Sequence, residues 1–462
     1  MLWVATQHLM NDTRPMPHPS PVQEPNPYAP SIAPAKQVAS GEATPSRGSL
    51  LVIFLTVFID LLGFGMVLPL LPIYARTFAV NAQGWEIGLL MASFSAMTFV
   101  FSPLWGRLSD RIGRRPVILI GLMGSAVFYA LFGVATLWQS MTWLFITRIG
   151  AGIAAGTIPT AQAYIADVTS VQTRAKGMAL IGAAFGLGFT FGPLIGYAAL
   201  VFAKSESEVG TSPWPGYAAA GLSGSAFLLA LMLLPESLRP GKHAERHAVF
   251  DLRAWGDALS TQSVPAILLT SFVSVVSFGA YETTLSLLLK SEAFGFPFER
   301  VLLFFAFIGF TLTLAQGLLV RRLAGKVSEV VMATAGAVDT MVGFVLLSLA
   351  SQSSSVWFLV VASAVEVTGF SLMTPSLQSL ISRRSDPAKQ GGILGVSQSV
   401  SALARVAGPL IAVPLFFRQP TLPYWTAVAM MCGALAIFLL WARKGQDYVT
   451  VASNPTSSLE HV

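Results

Sequence analysis

The stretch GRLSDRIGRRP, residues 106–116, is the densest cluster of charge in the 462-residue chain. It holds four arginines and one aspartate, and it lies between two long apolar segments that are otherwise almost uncharged. A short basic stretch between two such segments is typical of a connection between membrane-spanning helices.

The composition agrees with a membrane protein. Hydrophobic residues make up 54% of the chain, charged residues make up 11%, and the mean hydropathy is +0.66, whereas a soluble domain carries about 25% charged residues. Apolar stretches of about 20 residues, the length that crosses the hydrocarbon, recur along the chain. Alternating ten-residue units are missing from the sequence, so we predict helices and no barrel. Twelve stretches begin near residues 50, 86, 116, 142, 176, 217, 264, 301, 327, 356, 391 and 422.

The longest polar connection divides these stretches six and six. We predict an N-terminal six-helix bundle at residues 50–235, a cytoplasmic linker at 236–263 and a C-terminal six-helix bundle at 264–443. Residues 1–49 are rich in proline and small polar residues, so we expect a disordered cytoplasmic tail there, and a second one at 444–462. The single Cys432 cannot form an intramolecular disulfide bond.

An internal repeat supports the division. A shift of 216 residues places Gln162 on Gln378 and the GPLI of residues 192–195 on the GPLI of residues 408–411. Two parallel halves related by an axis along the membrane normal are an architecture that transporters use for alternating access around a central site.

The basic residues predict the orientation of the spans. The connections after even-numbered spans hold sixteen Lys and Arg, and those after odd-numbered spans hold five. By the positive-inside rule, both termini and residues 106–116 are cytoplasmic, and the protein lies in the cytoplasmic (inner) membrane. The net charge of +6 belongs to this face, so it gives no reason to expect a nucleic-acid partner.

Residues 106–116 resemble the loop motif of the major facilitator superfamily. The motif is carried by Gly106, Asp110, Arg111, Gly113, Arg114 and Arg115. Further stretches at residues 60–72, 148–156 and 163–167 resemble the drug:proton antiporter branch, and tetracycline-efflux proteins in particular. The antiporter motif of that branch matches Gly182, Gly186, Gly188, Gly192, Pro193 and Gly196.

The resemblance implies an all-α membrane protein with twelve transmembrane helices in two pseudo-symmetric six-helix bundles, the major facilitator fold. It also implies that Asp110 and its arginines latch the two halves together on the cytoplasmic side. We expect Asp110 to act as a charged cap for the third helix as well. Residues 321–326 are a weaker copy of the stretch with Gly325 in place of Asp110, so such a gate would belong to the N-terminal half. The glycines of the antiporter motif should allow neighbouring backbones to come close, and Pro193 favours a bend.

Charged residues inside the predicted spans are the main functional candidates. They are Asp60, Arg148, Glu282, Asp339, Glu366 and Arg405. A charge at mid-helix costs about 2.5–3.5 kcal/mol on insertion scales, so these side chains should face a polar interior and pair. No histidine lies in a span, so a proton carrier must be a carboxylate.

We predict that Asp60, Arg148 and Asp339 couple transport to protons; a fixed structural ion pair of Asp60 and Arg148 is the alternative. Asp339 resembles the acidic site of tetracycline-efflux proteins, whereas their acid in the third span is replaced here by Phe128. Glu282 and Glu366 are candidates for an acidic pair with Arg405. Further candidates to line the cavity are Phe64, Gln162, Tyr281 and Gln378.

Together these features predict a proton-coupled exporter of a lipophilic or amphiphilic small molecule such as a drug. Its partners would be the substrate, protons and the lipid bilayer, and we expect a monomer without a cofactor or metal. Uptake or facilitated transport of a metabolite is an alternative, and a non-transporting receptor or scaffold is another. No P-loop, zinc-protease or nucleophile-elbow motif favours an enzyme.

Overall fold

A computed structural model describes most of the chain between residues 47 and 448. The described ranges are 47–78, 84–169, 171–203, 211–238, 252–386, 389–441, 445 and 447–448. Most of the two predicted tails and much of the predicted linker lie outside them.

Twelve helices in the described ranges are long and apolar enough to cross a membrane. We number them spans 1 to 12, and each begins within four residues of its predicted start. The prediction of an all-α protein is confirmed, since the described residues contain no strand. The spans are Ser49–Phe78, Trp85–Ile112, Arg114–Leu137, Met141–Val168, Leu180–Phe202, Trp214–Leu233, Val264–Leu289, Phe298–Leu323, Glu329–Ser353, Val356–Arg384, Gln390–Arg418 and Leu422–Trp441.

Three spans contain irregular segments. Span 1 consists of the helices Arg47–Val67 and Leu71–Phe78, and span 4 consists of Met141–Ala155 and Ile158–Val168. Span 8 runs from Phe298–Leu314 through the π-helical segment Ala315–Val320 to Arg321–Leu323, and a short helix, Leu252–Ser260, precedes span 7. Span 5 belongs to a continuous helix, Val171–Ala203, that includes Pro193.

The packing of the spans repeats between the two halves. Span 1 packs against spans 5 and 6, span 3 against spans 4 and 6, and span 2 against span 4. When six is added to each span number, the same contacts are found in the C-terminal half. Span 7 packs against spans 11 and 12, span 9 against spans 10 and 12, and span 8 against span 10. Spans 2 and 11 and spans 5 and 8 form two equivalent contacts between the halves. This pattern is that of a duplicated six-helix unit, and its boundaries at residues 235 and 264 stay a prediction.

The hydrophobic core differs between the two ends of the molecule. At the end that bears the connections after odd-numbered spans, one cluster includes buried residues of both halves, such as Tyr74, Phe132, Phe296 and Phe416. We call this the closed end. At the opposite end, which we call the linker end, each half has its own cluster. The halves therefore share a core only at the closed end.

Side-chain contacts at the closed end join the halves directly. The ring of Tyr74 in span 1 meets that of Phe298 in span 8 edge to face, with centroids 5.5 Å apart. The guanidinium of Arg76 lies over the ring of Phe417 at 5.7 Å. At the same end, a Cβ at Gly88 of span 2 would lie 2.9 Å from the carbonyl oxygen of Pro409 in span 11. Backbones of the two halves are therefore in contact here.

Candidate functional site

Asp60 lies near the middle of span 1 and is half-buried. The hydroxyl of Ser223 in span 6 donates a hydrogen bond to its Oδ1 at 2.8 Å, and that of Ser125 in span 3 donates one to its Oδ2 at 3.4 Å. No described ion pair includes Asp60. Hydroxyl groups, and not a cation, therefore hold this carboxyl group.

Arg148 is buried in span 4, with 3% of its surface exposed. Its guanidinium lies over the ring of Phe94 in span 2, 4.3 Å from the centroid, and its Nε has no hydrogen-bond partner. A guanidinium over an aromatic face gains a cation–π attraction of about 2 kcal/mol where water is excluded. The fixed Asp60–Arg148 ion pair that we gave as an alternative is wrong for this conformation.

Tyr129 in span 3 connects the two groups indirectly. It is buried, and it interacts electrostatically with both Asp60 and Arg148. Together with Ser125, one helical turn earlier, it forms the face of span 3 that meets Asp60 and Arg148. Sequence analysis did not single out Tyr129, Ser125 or Ser223, because hydroxyl-bearing residues are common in transmembrane helices.

Glu282 lies where the charges of both halves meet. Its half-buried carboxylate in span 7 interacts electrostatically with Arg405 of span 11 and with Arg148 of span 4. Arg405 lies in mid-helix and interacts electrostatically with Glu282, although part of its side chain is not covered by protein. No described ion pair includes either residue, so the predicted pairing of Glu282 with Arg405 stays a prediction.

Glu366 does not join that group as predicted. It is completely buried in span 10, and neither carboxylate oxygen has a hydrogen-bond partner. Its electrostatic neighbours are Asp339 of span 9 and Glu282, both of which are acidic. The predicted pairing of Glu282 and Glu366 with Arg405 is not seen among the described ion pairs, and the electrostatic interaction described for Arg405 is the one with Glu282. Asp339, predicted to take part in proton coupling, interacts electrostatically with Glu366.

Aromatic rings from both halves surround the charged groups. Phe64 of span 1 contacts the rings of Phe94 and Phe189, at centroid distances of 5.2 and 5.8 Å. Phe278 of span 7 and Phe370 of span 10 are stacked with centroids 4.0 Å apart. These rings are partly exposed, so they offer apolar surface next to Arg148 and Glu282.

The remaining candidates have different environments. Phe128 packs its ring directly against Gly150 of span 4, so the residue at this position fills the contact between spans 3 and 4. Gln162 is exposed in the second segment of span 4. Gln378 donates a hydrogen bond to the Ser397 hydroxyl at 3.1 Å, which joins spans 10 and 11. Tyr281 is buried, with its hydroxyl close to that of Ser363.

Residues 106–116 are almost entirely helical, which corrects the prediction of a loop. Span 2 continues to Ile112, span 3 begins at Arg114, and Gly113 alone connects them. Its φ of 108° is in the region that favours glycine. A side chain at this position would also collide with the carboxylate of Glu236.

Arg114 is the centre of an ion-pair network within the N-terminal half. Its Nη1 lies 2.5 Å from Oδ1 of Asp110, and its Nε lies 3.2 Å from Oδ2 of Asp167 at the end of span 4. Glu236, after span 6, accepts hydrogen bonds from the backbone N–H groups of Arg114 and Arg115 at 2.9 and 3.1 Å. The cap of span 3 is therefore Glu236, and the prediction that Asp110 caps it is wrong.

The C-terminal half has an equivalent network with the charges exchanged. Arg383, at the end of span 10, pairs with Glu329 at the start of span 9 at 2.7 Å and with Asp447 after span 12 at 2.5 Å. Nearby, Lys389 pairs with Asp257 of the short helix at 2.7 Å. This carboxylate raises the pKa of the Lys389 ammonium group. Both networks lie at the linker end, and no described ion pair crosses between the halves.

The glycines of the antiporter motif pack span 5 against spans 1 and 8. Side chains at Gly188 and Gly192 would meet the backbone of span 1, and one at Gly196 would meet Met66 of span 1. Gly186 faces Thr313 of span 8, whereas nothing lies within 4 Å of a Cβ at Gly182. The expectation of close backbone packing is thus met by this part of the motif and not by Gly182.

Comparison with protein families gives a match to the major facilitator superfamily over residues 53–409. The chain is 32% identical over 400 residues to the class E tetracycline resistance protein of Escherichia coli, which covers 86% of this chain and 94% of that protein. It is 29% identical over 448 residues to the human major facilitator superfamily domain-containing protein 10, covering 86% and 91% of the two chains.

A solved structure is similar over the same region. The crystal structure of the human organic anion transporter MFSD10 (TETRAN) superposes with a TM-score of 0.64 at 26% sequence identity. The match covers 85% of this chain and 99% of that structure.

Proposed function

The chain belongs to the major facilitator superfamily, and we propose that it exports an amphiphilic small molecule in exchange for protons, by alternating access. Similarity to tetracycline resistance proteins supports export of a drug-like molecule. The excess of Lys and Arg after even-numbered spans supports a cytoplasmic linker end, with both termini cytoplasmic.

The observation that carries the proposal is the environment of Asp60. A carboxylate locked to a cation keeps its charge, whereas one held by hydroxyls can gain or lose a proton with little rearrangement. Asp60 is half-buried in mid-membrane, and its described hydrogen bonds come from Ser125 and Ser223. Spans 1, 3 and 6, which meet at this carboxyl group, would therefore respond to its protonation.

The packing at the two ends supports alternating access. A shared core at the closed end and separate cores at the linker end are the packing expected of a conformation that is open at the linker end. With the predicted orientation, this is the conformation in which substrate enters from the cytoplasm. Protonation of Asp60 from the outside would then favour the return to this conformation.

We infer that the substrate carries an anionic group. Arg148 and Arg405 come from opposite halves and both interact with the Glu282 carboxylate, so an anion of the substrate can compete with Glu282 for them. The partly exposed rings of Phe64 and Phe94 would bind its apolar part. A relative with a solved structure is described as an organic anion transporter, which supports this substrate class.

The experiment is transport by purified protein in liposomes under an imposed pH gradient. We expect amphiphilic anions to drive proton movement, with weaker effects of matched cations and neutral analogues. The Asp60→Asn variant should insert and bind substrate yet lose transport against a concentration gradient. Normal gradient-driven transport by this variant would remove Asp60 from the mechanism, and substrate movement in the same direction as protons would favour uptake.

A further inference from the structure

Glu366 is the most deeply buried acid in the described part of the chain. It lies in mid-span 10 with 0% of its surface exposed. Span 9 comes unusually close here, since a Cβ at Gly343 would lie 2.6 Å from the backbone nitrogen and Cα of Glu366. This packing holds the carboxyl group between spans 7, 9 and 10.

The carboxyl group has no protein partner for a negative charge. Neither of its oxygens accepts a hydrogen bond, and no described ion pair includes it. An ionised carboxylate that has lost its water and gained no hydrogen bond costs far more free energy than the neutral acid. The neutral acid can in addition donate one hydrogen bond.

The groups around Glu366 can accept such a bond. The hydroxyl of Tyr281 in span 7, with 1% of the residue exposed, interacts electrostatically with Glu366 and lies close to the hydroxyl of Ser363 in span 10. The hydroxyls of Ser363 and of Thr340 in span 9 are buried as well. An unsatisfied buried polar group destabilises the folded state, so a proton on Glu366 or a water molecule would be needed to connect this cluster.

The charged neighbours also disfavour a negative charge on Glu366. Span 9 contributes Asp339 and span 7 contributes Glu282, both acidic. Span 11 contributes Arg405, which interacts with Glu282, and span 8 has no charged residue between Arg300 and Arg321. No cation therefore compensates Glu366 in this conformation.

We propose that Glu366 is a second proton-binding site, which holds a proton while the linker end is open and releases it when spans 9 and 10 separate or Arg405 moves towards it. Asp60 would then bind one proton in the N-terminal half and Glu366 one in the C-terminal half, so a transport cycle can move two protons. This proposal rests on proton coupling as proposed above, but the protonation of Glu366 can be measured without transport.

The test is infrared spectroscopy of the reconstituted protein at neutral pH, which detects the C=O band of a protonated carboxyl group. We expect one band to disappear in Glu366→Gln, to shift in Glu366→Asp, and to remain in Asp60→Asn and Asp339→Asn. Glutamine is isosteric with the neutral acid, so the fold should be retained. An unchanged spectrum of Glu366→Gln, or loss of the same band in Asp339→Asn, would overturn the assignment.

A second measurement concerns transport itself. The number of protons exchanged per substrate, obtained from the reversal potential in liposomes, should be one lower for Glu366→Gln than for the wild type. An unchanged ratio would show that the bound proton takes no part in transport. If Asp60→Asn transports normally while the infrared band behaves as expected, the role of Asp60 is wrong and the Glu366 site stands.

Discussion

The hydroxyl of Ser223 in span 6 lies 2.8 Å from Oδ1 of Asp60 in span 1. This hydrogen bond joins the two helices at the carboxyl group on which the proposed proton coupling depends. Under the proposed coupling, Asp60 gains and loses a proton, so the contribution of this bond would change during the cycle.

Replacement of this hydroxyl provides the first prediction. A hydrogen bond to a charged group contributes about 1.5–3 kcal/mol, so we expect Ser223→Ala to reduce the proton-driven transport rate about tenfold. The matched control is Ser225→Ala, because this exposed hydroxyl bonds only to the Leu222 carbonyl of its own helix. Equal rates for both variants would mean that Ser223 does not support Asp60.

Arg405 allows a test of the proposed substrate class. We expect Arg405→Gln to raise the KM for an amphiphilic anion about tenfold, because a charge-assisted contact of about 1.5–3 kcal/mol is lost. The KM for a neutral analogue should be unchanged. Arg418→Gln, at the exposed end of the same span, is the control. If anionic and neutral substrates are affected alike, Arg405 does not bind the anionic group.

Two glycines of the antiporter motif should differ in their tolerance of a methyl group. A Cβ at Gly192 would lie 2.6 Å from the carbonyl oxygen of Leu62, whereas nothing lies within 4 Å of one at Gly182. Overpacking costs about 1–3 kcal/mol. We therefore expect Gly192→Ala to lower the thermal stability of the detergent-purified protein and its transport, and Gly182→Ala to change neither. A stable, active Gly192→Ala variant would contradict the observed packing of spans 1 and 5.

The contact between spans 5 and 8 can be tested by cross-linking. The hydroxyl oxygens of Thr190 and Thr313 are 3.3 Å apart across this contact, so a double cysteine variant, with Cys432 replaced by alanine, should form a disulfide bond. Alternating access requires the halves to move relative to each other, so we expect oxidation to slow transport and a reductant to restore it. Single cysteine variants are the control. Full transport with the bond formed would exclude movement along this contact.

The sequence was sufficient for the spans because each one needs a long apolar stretch, and such stretches are visible without tertiary contacts. It also identified the six charged residues in the middle of spans, since charges within apolar stretches are few, whereas the acidic partners in the networks at the linker end, such as Asp167 and Glu329, were not singled out. The internal repeat indicated which spans would be equivalent, and the packing of spans 1, 5 and 6 and of spans 7, 11 and 12 has this relationship.

The partners of the charged residues were less predictable. Asp60 is held by two serines from distant spans, and Arg148 lies over an aromatic ring, so neither forms the ion pair that simple charge matching favours. Successive side chains of a helix project about 100° apart around its axis. The rotation of each helix about its axis therefore decides which side chain faces which neighbour, and the sequence does not give this rotation. The sequence likewise did not predict that Gly113 alone connects spans 2 and 3, because polar residues at the end of a helix have the same composition as a loop.

Because the charges at the linker end are exchanged between the halves, a span of one half cannot replace the equivalent span of the other half without loss of its ion pair. A shift of 216 residues places Asp167 on Arg383, and a shift of 215 places Arg114 on Glu329, so each ion pair is kept with its polarity reversed. A chimera in which span 10 replaced span 4 would set Arg383 against Arg114. Each half therefore forms its salt bridge with its own spans, and the equivalent span of the other half would bring two like charges together. This charge pattern disfavours incorrect pairing of spans between the halves.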